Sequence, residues 1–269
     1  MISRATQTWA FFYRDWQLTR RYWSWVVVFT FYAIVTSATV ALIGVAAKDT
    51  QLTMTLTIGA LLWTFLSVLF NEIAMSIAFE RWEGTLEYTF MAPVSRFIHL
   101  MGVSLYALTY SLARVVCVFA GLWLMIDLPF QWSQLPGVAL VLVLAVSSIS
   151  FVGLGLIAAI LPVMSPERGA EATNILQGIL LLISGVYYPV SVLPNWIQPL
   201  AWLSPATYSL SASRRLLGLE GGGPAAFSSI VPDLIRLLVL GLILVPVGLW
   251  VFATAENWAK RNGKLKRTG

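Results

Sequence analysis

Residues 80–96 read ERWEGTLEYTFMAPVSR and lie between two long apolar runs at 56–79 and 101–126. On a helical period Glu80, Glu83 and Glu87 fall on one side, and Trp82, Leu86 and Phe90 on the adjacent one. Neither side has a use in lipid. The stretch therefore reads as a short polar helix on a membrane face, shaped to touch another protein. Gly84 within it costs about 1 kcal/mol relative to alanine in a helix. Either it admits close approach of a partner's backbone or it marks a kink.

The flanking runs set the class. Apolar residues make up 58% of the chain and charged residues 11%, and the mean hydropathy is +0.80; a soluble domain has a different balance. A soluble domain with an oversized core is excluded, because several runs approach or exceed the roughly 20 residues that cross a hydrocarbon core. Runs at 26–47, 56–79, 101–126, 137–161, 172–188 and 234–254 predict six spans. The expected fold is thus an all-α polytopic membrane protein, one transmembrane domain over 1–269. Ahead of the first span, Trp9, Phe12, Tyr13 and Trp16 share a stripe while Arg14, Gln17 and Arg21 point elsewhere. That pattern predicts an interfacial helix over 3–24. Arg4, Arg14 and Arg20 among these aromatics argue against a cleaved signal, so the first span is expected to stay in the mature protein.

An even number of spans puts both ends on one side. Arg4, Arg14, Arg20 and Arg21 precede the first span, and a basic tail over 256–269, with Lys260, Arg261, Lys264, Lys266 and Arg267, follows the last. The positive-inside rule makes both ends cytoplasmic, in a multi-pass protein of the plasma (inner) membrane. Residues 80–96 and 162–171 then face the cytoplasm, and 48–55 and 127–136 form small external loops. The largest external piece, 189–232, carries Trp196, Leu200, Trp202 and Leu203 interrupted by Pro194, Pro199 and Pro205. Such runs are too short to span, and predict short external re-entrant or interface-lying helices.

Much chemistry is excluded. His99 and Cys117 are each the one residue of their type, which leaves no intramolecular disulfide, no bis-histidine haem site and no histidine-rich metal centre. His99 reads as interfacial and Cys117 as a packing residue. Neither a G-x-x-x-x-G-K-[ST] phosphate loop nor a G-x-S-x-G elbow occurs. No catalytic, cofactor or metal residue and no nucleic-acid partner is expected. Inside the spans, Glu72 and Arg114 are costly in lipid and must face an interior, a partner or water; Asn71 stands beside Glu72. The two charges differ in depth by roughly 10 Å at 1.5 Å per residue. They either line a translocation path or form a hydrogen-bond network between helices. Arg236 near Asp233 reads as an anchor at the outer end of the last span. Gly153 and Gly155, with Ser147, Ser148 and Ser150, predict close helix packing, either within the chain or against a second copy.

Several motifs then resemble the permeases of type-2 ABC exporters, which move drugs, lipids and polysaccharides. They are E-x-x-x-G-T-L-E with a following proline (Glu80, Gly84, Thr85, Leu86, Glu87, Pro93), GVYYPVSVLP at 185–194, LSPATY at 203–208, and then Arg214 and Arg215. The resemblance covers nearly the whole chain. It implies a half-transporter that pairs with a second copy, a homodimer in the lipid bilayer. Each copy would rest on a separate nucleotide-binding ATPase subunit, which holds ATP and magnesium. It further implies that residues 80–96 are a coupling helix in a groove of that ATPase, with Glu80, Trp82, Glu83, Gly84, Leu86 and Glu87 as contacts. Glu167 and Arg168, with Glu171, would add a second contact or form only a solvated turn. Two other readings compete. A stand-alone carrier driven by an ion gradient would use Glu72 and Arg114 as ion groups, but no clear internal repeat is present. A membrane-embedded lipid-modifying enzyme lacks the clustered His, Asp or Cys it would need.

Overall fold

In a computed structural model the structure describes residues 3–127, 136–165, 168–220 and 226–263. The chain forms α1 (Arg4–Arg21), α2 (Trp23–Ala46), α3 (Thr50–Trp82), α4 (Leu86–Met91), α5 (Arg96–Met125), α6 (Gly137–Ala158), α7 (Ile160–Met164), α8 (Gly169–Ile183), α9 (Gln198–Ala201), α10 (Pro205–Leu216) and α11 (Val231–Arg261). No strand occurs among the described residues. Glu167, the glycines at 221–223, residues 128–135 of the second expected external loop, and Lys264, Lys266 and Arg267 of the tail lie outside the described residues.

Five segments are long and apolar enough to cross a membrane: α2, α3, α5, α6 continued by α7, and α11. The fifth expected span, 172–188, differs. Its helix, α8, has 15 residues, about 22 Å at 1.5 Å per residue, against a hydrocarbon core of about 30 Å. What stops it is Gly185, whose φ of 67° is a left-handed conformation that costs glycine little. A Cβ there would sit 2.9 Å from the Tyr188 carbonyl oxygen.

α3 is the central post. Of its apolar window 83% is buried, against 22% for α2 and 17% for α5, so α3 is enclosed by protein while the other two keep wide outward faces. Phe65, Leu66, Leu69, Phe70, Ile73 and Ile77 form its buried contact surface. Lipid tails are as apolar as leucine, so helices here associate through close approach and hydrogen bonds rather than through water exclusion. The α6–α11 crossing illustrates this. A Cβ on Gly153 would lie 2.6 Å from the Leu244 carbonyl carbon, and one on Gly248 would lie 2.8 Å from the Gly153 oxygen. Gly155 meets Ile73 and Phe70 of α3 in the same way. Ser150 Oγ donates to the Leu237 carbonyl at 2.7 Å, and Ser147 shares a 2.6 Å hydrogen bond with Ser209 of α10. The small residues of α6 therefore contact their own chain.

α1 lies along α5 where Gly102 leaves room for the Thr8 carbonyl and Phe11. Thr8 and Asp15 face inward, while Trp9, Tyr13 and Trp16 remain exposed; Phe12 turns partly inward, its ring 6.1 Å from Tyr106. Between α8 and α11 the chain makes 3-10 turns at Val190–Val192 and Phe227–Ser229 and the short helices α9 and α10. α10 is largely buried. Its Arg214 donates to the Gly185 carbonyl at 3.1 Å and to the Val186 carbonyl at 2.5 Å. Arg215 pairs with Asp233, which Arg236 also reaches at 3.3 Å.

The α6–α11 crossing should be intolerant of volume. Gly153→Leu is expected to lower stability by about 1–3 kcal/mol, read as a drop in thermal unfolding temperature in detergent. Gly178→Ala, where nothing stands within 4 Å of an added Cβ, should leave that temperature unchanged or higher.

Candidate functional site

Residues 80–96 are not one helix. Glu80, Arg81 and Trp82 form the last turn of α3. Gly84, with φ 74°, then ends the helix in a Schellman cap: Thr85 N–H donates to the Glu80 carbonyl at 2.8 Å and Gly84 N–H to the Arg81 carbonyl at 3.1 Å. No atom stands within 4 Å of a Cβ at Gly84. The glycine serves the turn, and its cost inside a helix does not arise. α4 follows as a six-residue helix.

Glu80, expected on an exposed acidic face, is 1% exposed. Arg14 of α1 donates to its Oε1, as does His99 Nε2 at 2.8 Å. His99, expected at the interface, is fully buried, with its ring 4.6 Å from that of Phe11. Arg14 also binds Asp15 at 2.7 Å and donates to Ser76 Oγ at 3.0 Å, and Ser76 Oγ donates to Asp15 Oδ2 at 2.8 Å. Burial holds the Asp15 carboxyl above the ordinary carboxylate pKa, outweighing the lowering by Arg14 and Ser76. One polar cluster thus ties α1, α3 and α5 together. Nearby, Arg81 donates to the Val163 carbonyl, joining α3 to α7.

Leu86, expected to fill a partner's pocket, is instead buried in this chain's own core, as is Phe90. The rings of Phe90 and Phe252 of α11 meet edge to face at 6.0 Å. The carbonyls at the end of α4 are held by cations: Arg96 donates to Thr89 O at 2.8 Å and to Phe90 O, and Lys260 donates to Phe90 O at 3.0 Å. Glu256 binds both cations, Arg96 at 2.8 Å and Lys260 at 2.7 Å. Burying two large apolar side chains contributes about 1.5–3 kcal/mol each, and partly exposed ion pairs about 0–1 kcal/mol. Packing therefore holds α4 in place, and the charges fix its orientation. The outward side of the elbow is open: Trp82 and Glu83 at the end of α3 and Tyr88 and Met91 of α4 are exposed and Glu87 is half-buried, with Tyr22 Oη donating to Glu83 at 3.1 Å. Arg168, exposed at the N-cap of α8, is the described member of the second expected contact.

A cavity of about 560 Å³ lies among α1, α2, α3, α5 and α8. Glu72, Asn71 and Arg114 all line it, together with Asn174 and Gln177 of α8 and the rings of Trp25, Tyr32, Trp63 and Tyr187. No hydrogen bond or ion pair joins Glu72 to Arg114 among the described residues. Arg114 instead donates to the Phe29 carbonyl at 2.6 Å and lies 6.0 Å from the centre of that ring. Cys117, expected to pack inside, is exposed on α5. No group of three metal-ligating side chains is present among the described residues.

Several of these partners gave no local signal. Arg96 and Glu256 lie 160 positions apart and Arg14 and Glu80 66 apart, and no period or motif links such pairs. The chemistry of a charge at the end of an apolar run was the one available hint.

A membrane-spanning helical bundle with a clamped elbow and an aromatic, polar-floored cavity is a transporter-like architecture. Residues 6–217 match the family model described as ABC-2 type transporter, and the chain belongs to that family. It is similar to the probable multidrug ABC transporter permease YbhR of Escherichia coli (strain K12) and of Escherichia coli O157:H7. Each is 23% identical over 163 residues, covering 60% of this chain and 43% of the relative. The match thus spans less than half the length of those curated relatives.

The clamp should be measurable in isolation. Glu256→Gln is expected to speed amide exchange over residues 86–91 about fivefold, equivalent to about 1 kcal/mol, with the fold intact. Phe90→Ala should cost more, about 3–5 kcal/mol, and lower the unfolding temperature itself.

Proposed function

We propose that the chain is the transmembrane permease subunit of an ATP-driven exporter. It works as a half-transporter: a second copy pairs with it in the membrane, and each copy rests on a separate ATPase that carries ATP and magnesium. Both termini face the cytoplasm of the plasma (inner) membrane, and α8 with the turn after it makes a sixth, shorter crossing.

One observation carries this reading. α4 is packed into the bundle on one side through Leu86 and Phe90 and, with the end of α3, presents Trp82, Glu83, Tyr88 and Met91 on the other. A short element fixed inward and open outward suits helix-in-groove docking, in which a packed contact moves as a unit. The contact set is accordingly Trp82, Glu83, Glu87, Tyr88 and Met91, with Arg168 alongside. Glu80 and Leu86 act from within, by setting where α4 sits. Displacement of α4 would reach α11 through Glu256 and α7 through Arg81, while the cavity over Glu72 and Arg114 provides the translocation path. The printed name of the relatives, a probable multidrug permease, agrees with such a path. An ion-gradient carrier would account for Glu72 but leaves the outward face of α4 without a use.

The test begins with a tagged chain purified under mild conditions. A nucleotide-binding ATPase is expected to co-purify, and ATP is expected to drive transport in vesicles. Transport that persists without ATP on a proton gradient would overturn the proposal. Glu83→Lys should leave expression and pairing intact yet cut transport per ATP hydrolysed at least about tenfold, about 1.4 kcal/mol of lost coupling; normal coupling would remove α4 from the docking surface. Gly84→Val should act through the backbone, since a β-branched residue is strained at φ 74°.

A further inference from the structure

The cavity contains a carboxylate that no donor binds directly. Glu72 lies on α3 about ten residues before the helix end, roughly 15 Å along its axis, and lines the cavity wall. Among the described residues it makes no hydrogen bond and no ion pair. The Asn71 side-chain oxygen beside it is buried and also unpartnered. Glu72 is half-buried, and two adjacent acceptors without a donor are costly in a low-dielectric setting, whereas the buried acids Asp15, Glu80, Asp233 and Glu256 are all paired.

The other charges facing the cavity are already engaged. Asp15 is bound by Arg14 and Ser76. Arg114 attracts Glu72 through space but turns its Nη2 onto the Phe29 carbonyl at 2.6 Å and its guanidinium over the Phe29 ring, leaving its Nε buried without a hydrogen bond. Glu72 is thus the charge at this wall that no donor binds directly. The same cavity is lined by Trp25, Tyr32, Trp63 and Tyr187, whose ring faces attract cations. One carboxylate and one amide are too few oxygens for calcium or magnesium, which take six or more ligands. The volume of about 560 Å³ suits an organic molecule of drug size.

We propose that this cavity binds amphiphilic organic cations, with Glu72 as counter-ion, the Asn71 oxygen as a second acceptor and the aromatic rings as walls. The physiological meaning of the site, selection of exported cations, rests on the reading of the cavity as a translocation path. Binding itself does not.

Two probes of the same shape and opposite charge, tetraphenylphosphonium and tetraphenylborate, separate charge from greasiness. Each is titrated into the purified chain in detergent, and binding is followed by tryptophan fluorescence and equilibrium dialysis. Tetraphenylphosphonium should bind saturably and at least about tenfold tighter than tetraphenylborate, and Glu72→Gln should erase that preference by weakening the cation alone. Equal affinities of the two ions for the wild-type chain would overturn the proposal even if the variant failed to fold. So would unchanged cation binding in a folded Glu72→Gln. With the partner ATPase present, Glu72-dependent binding without ATP-driven export of tetraphenylphosphonium would uphold the cation site and sink only the path. ATP-driven export of neutral compounds through a chain that shows no charge preference would do the reverse.

Discussion

A buried carboxylate at the C-terminal end of α3 needs partners, because breaking a desolvated ion pair by removing one member costs about 3–5 kcal/mol. Glu80 obtains them from Arg14 on α1 and His99 on α5, so the position of the central helix is coupled to the surface helix before it and the span after it. α1 is thereby more than a raft of aromatics on the membrane. Its inward face carries the charges that let α3 end where it does, and its outward face carries Trp9, Tyr13 and Trp16. From that end the Gly84 cap turns the chain into α4, and the packing of Leu86 and Phe90 follows from where the turn places them.

Two modes of cohesion share the molecule. Within the spans, glycine and serine allow backbones to approach, as at Gly153, Gly248 and Ser150, and dispersion with interhelical hydrogen bonds supplies what water exclusion supplies elsewhere. At the end that carries α4, apolar anchoring and multiply shared charges take over: Glu256 holds Arg96 and Lys260, and both reach back to the carbonyls of α4. Each cation thus satisfies a helix end and an acid together, which orients α4 more strictly than either contact alone.

The apolar runs, the α1 stripe and the intramembrane charges were legible in the sequence because each is a local property of length, period or desolvation. Local pattern misleads where a residue's use depends on distant partners. Residues 80–96 keep a helical period across Gly84, and only the backbone shows that the helix ends there. Glu80 belongs to the same acidic pattern as Glu83 and Glu87, yet the fold takes it inward because Arg14 and His99 arrive from elsewhere. The run at 172–188 has the composition of a span, but its geometry is decided by Gly185 and by Arg214, which lies 29 positions downstream. Glu72, Asn71 and Arg114 could be named as a group from their cost in lipid, whereas the ring-lined space they share needed α2 and α8 in place.

Arg214 binds main-chain oxygens at the end of α8 rather than an acid. A carbonyl does not titrate in the range where carboxylates do, so these two hydrogen bonds fastening α10 to the turn after α8 have no proton to gain when the surroundings become acidic. Only the through-space attraction of Glu220 for the same guanidinium would fade there.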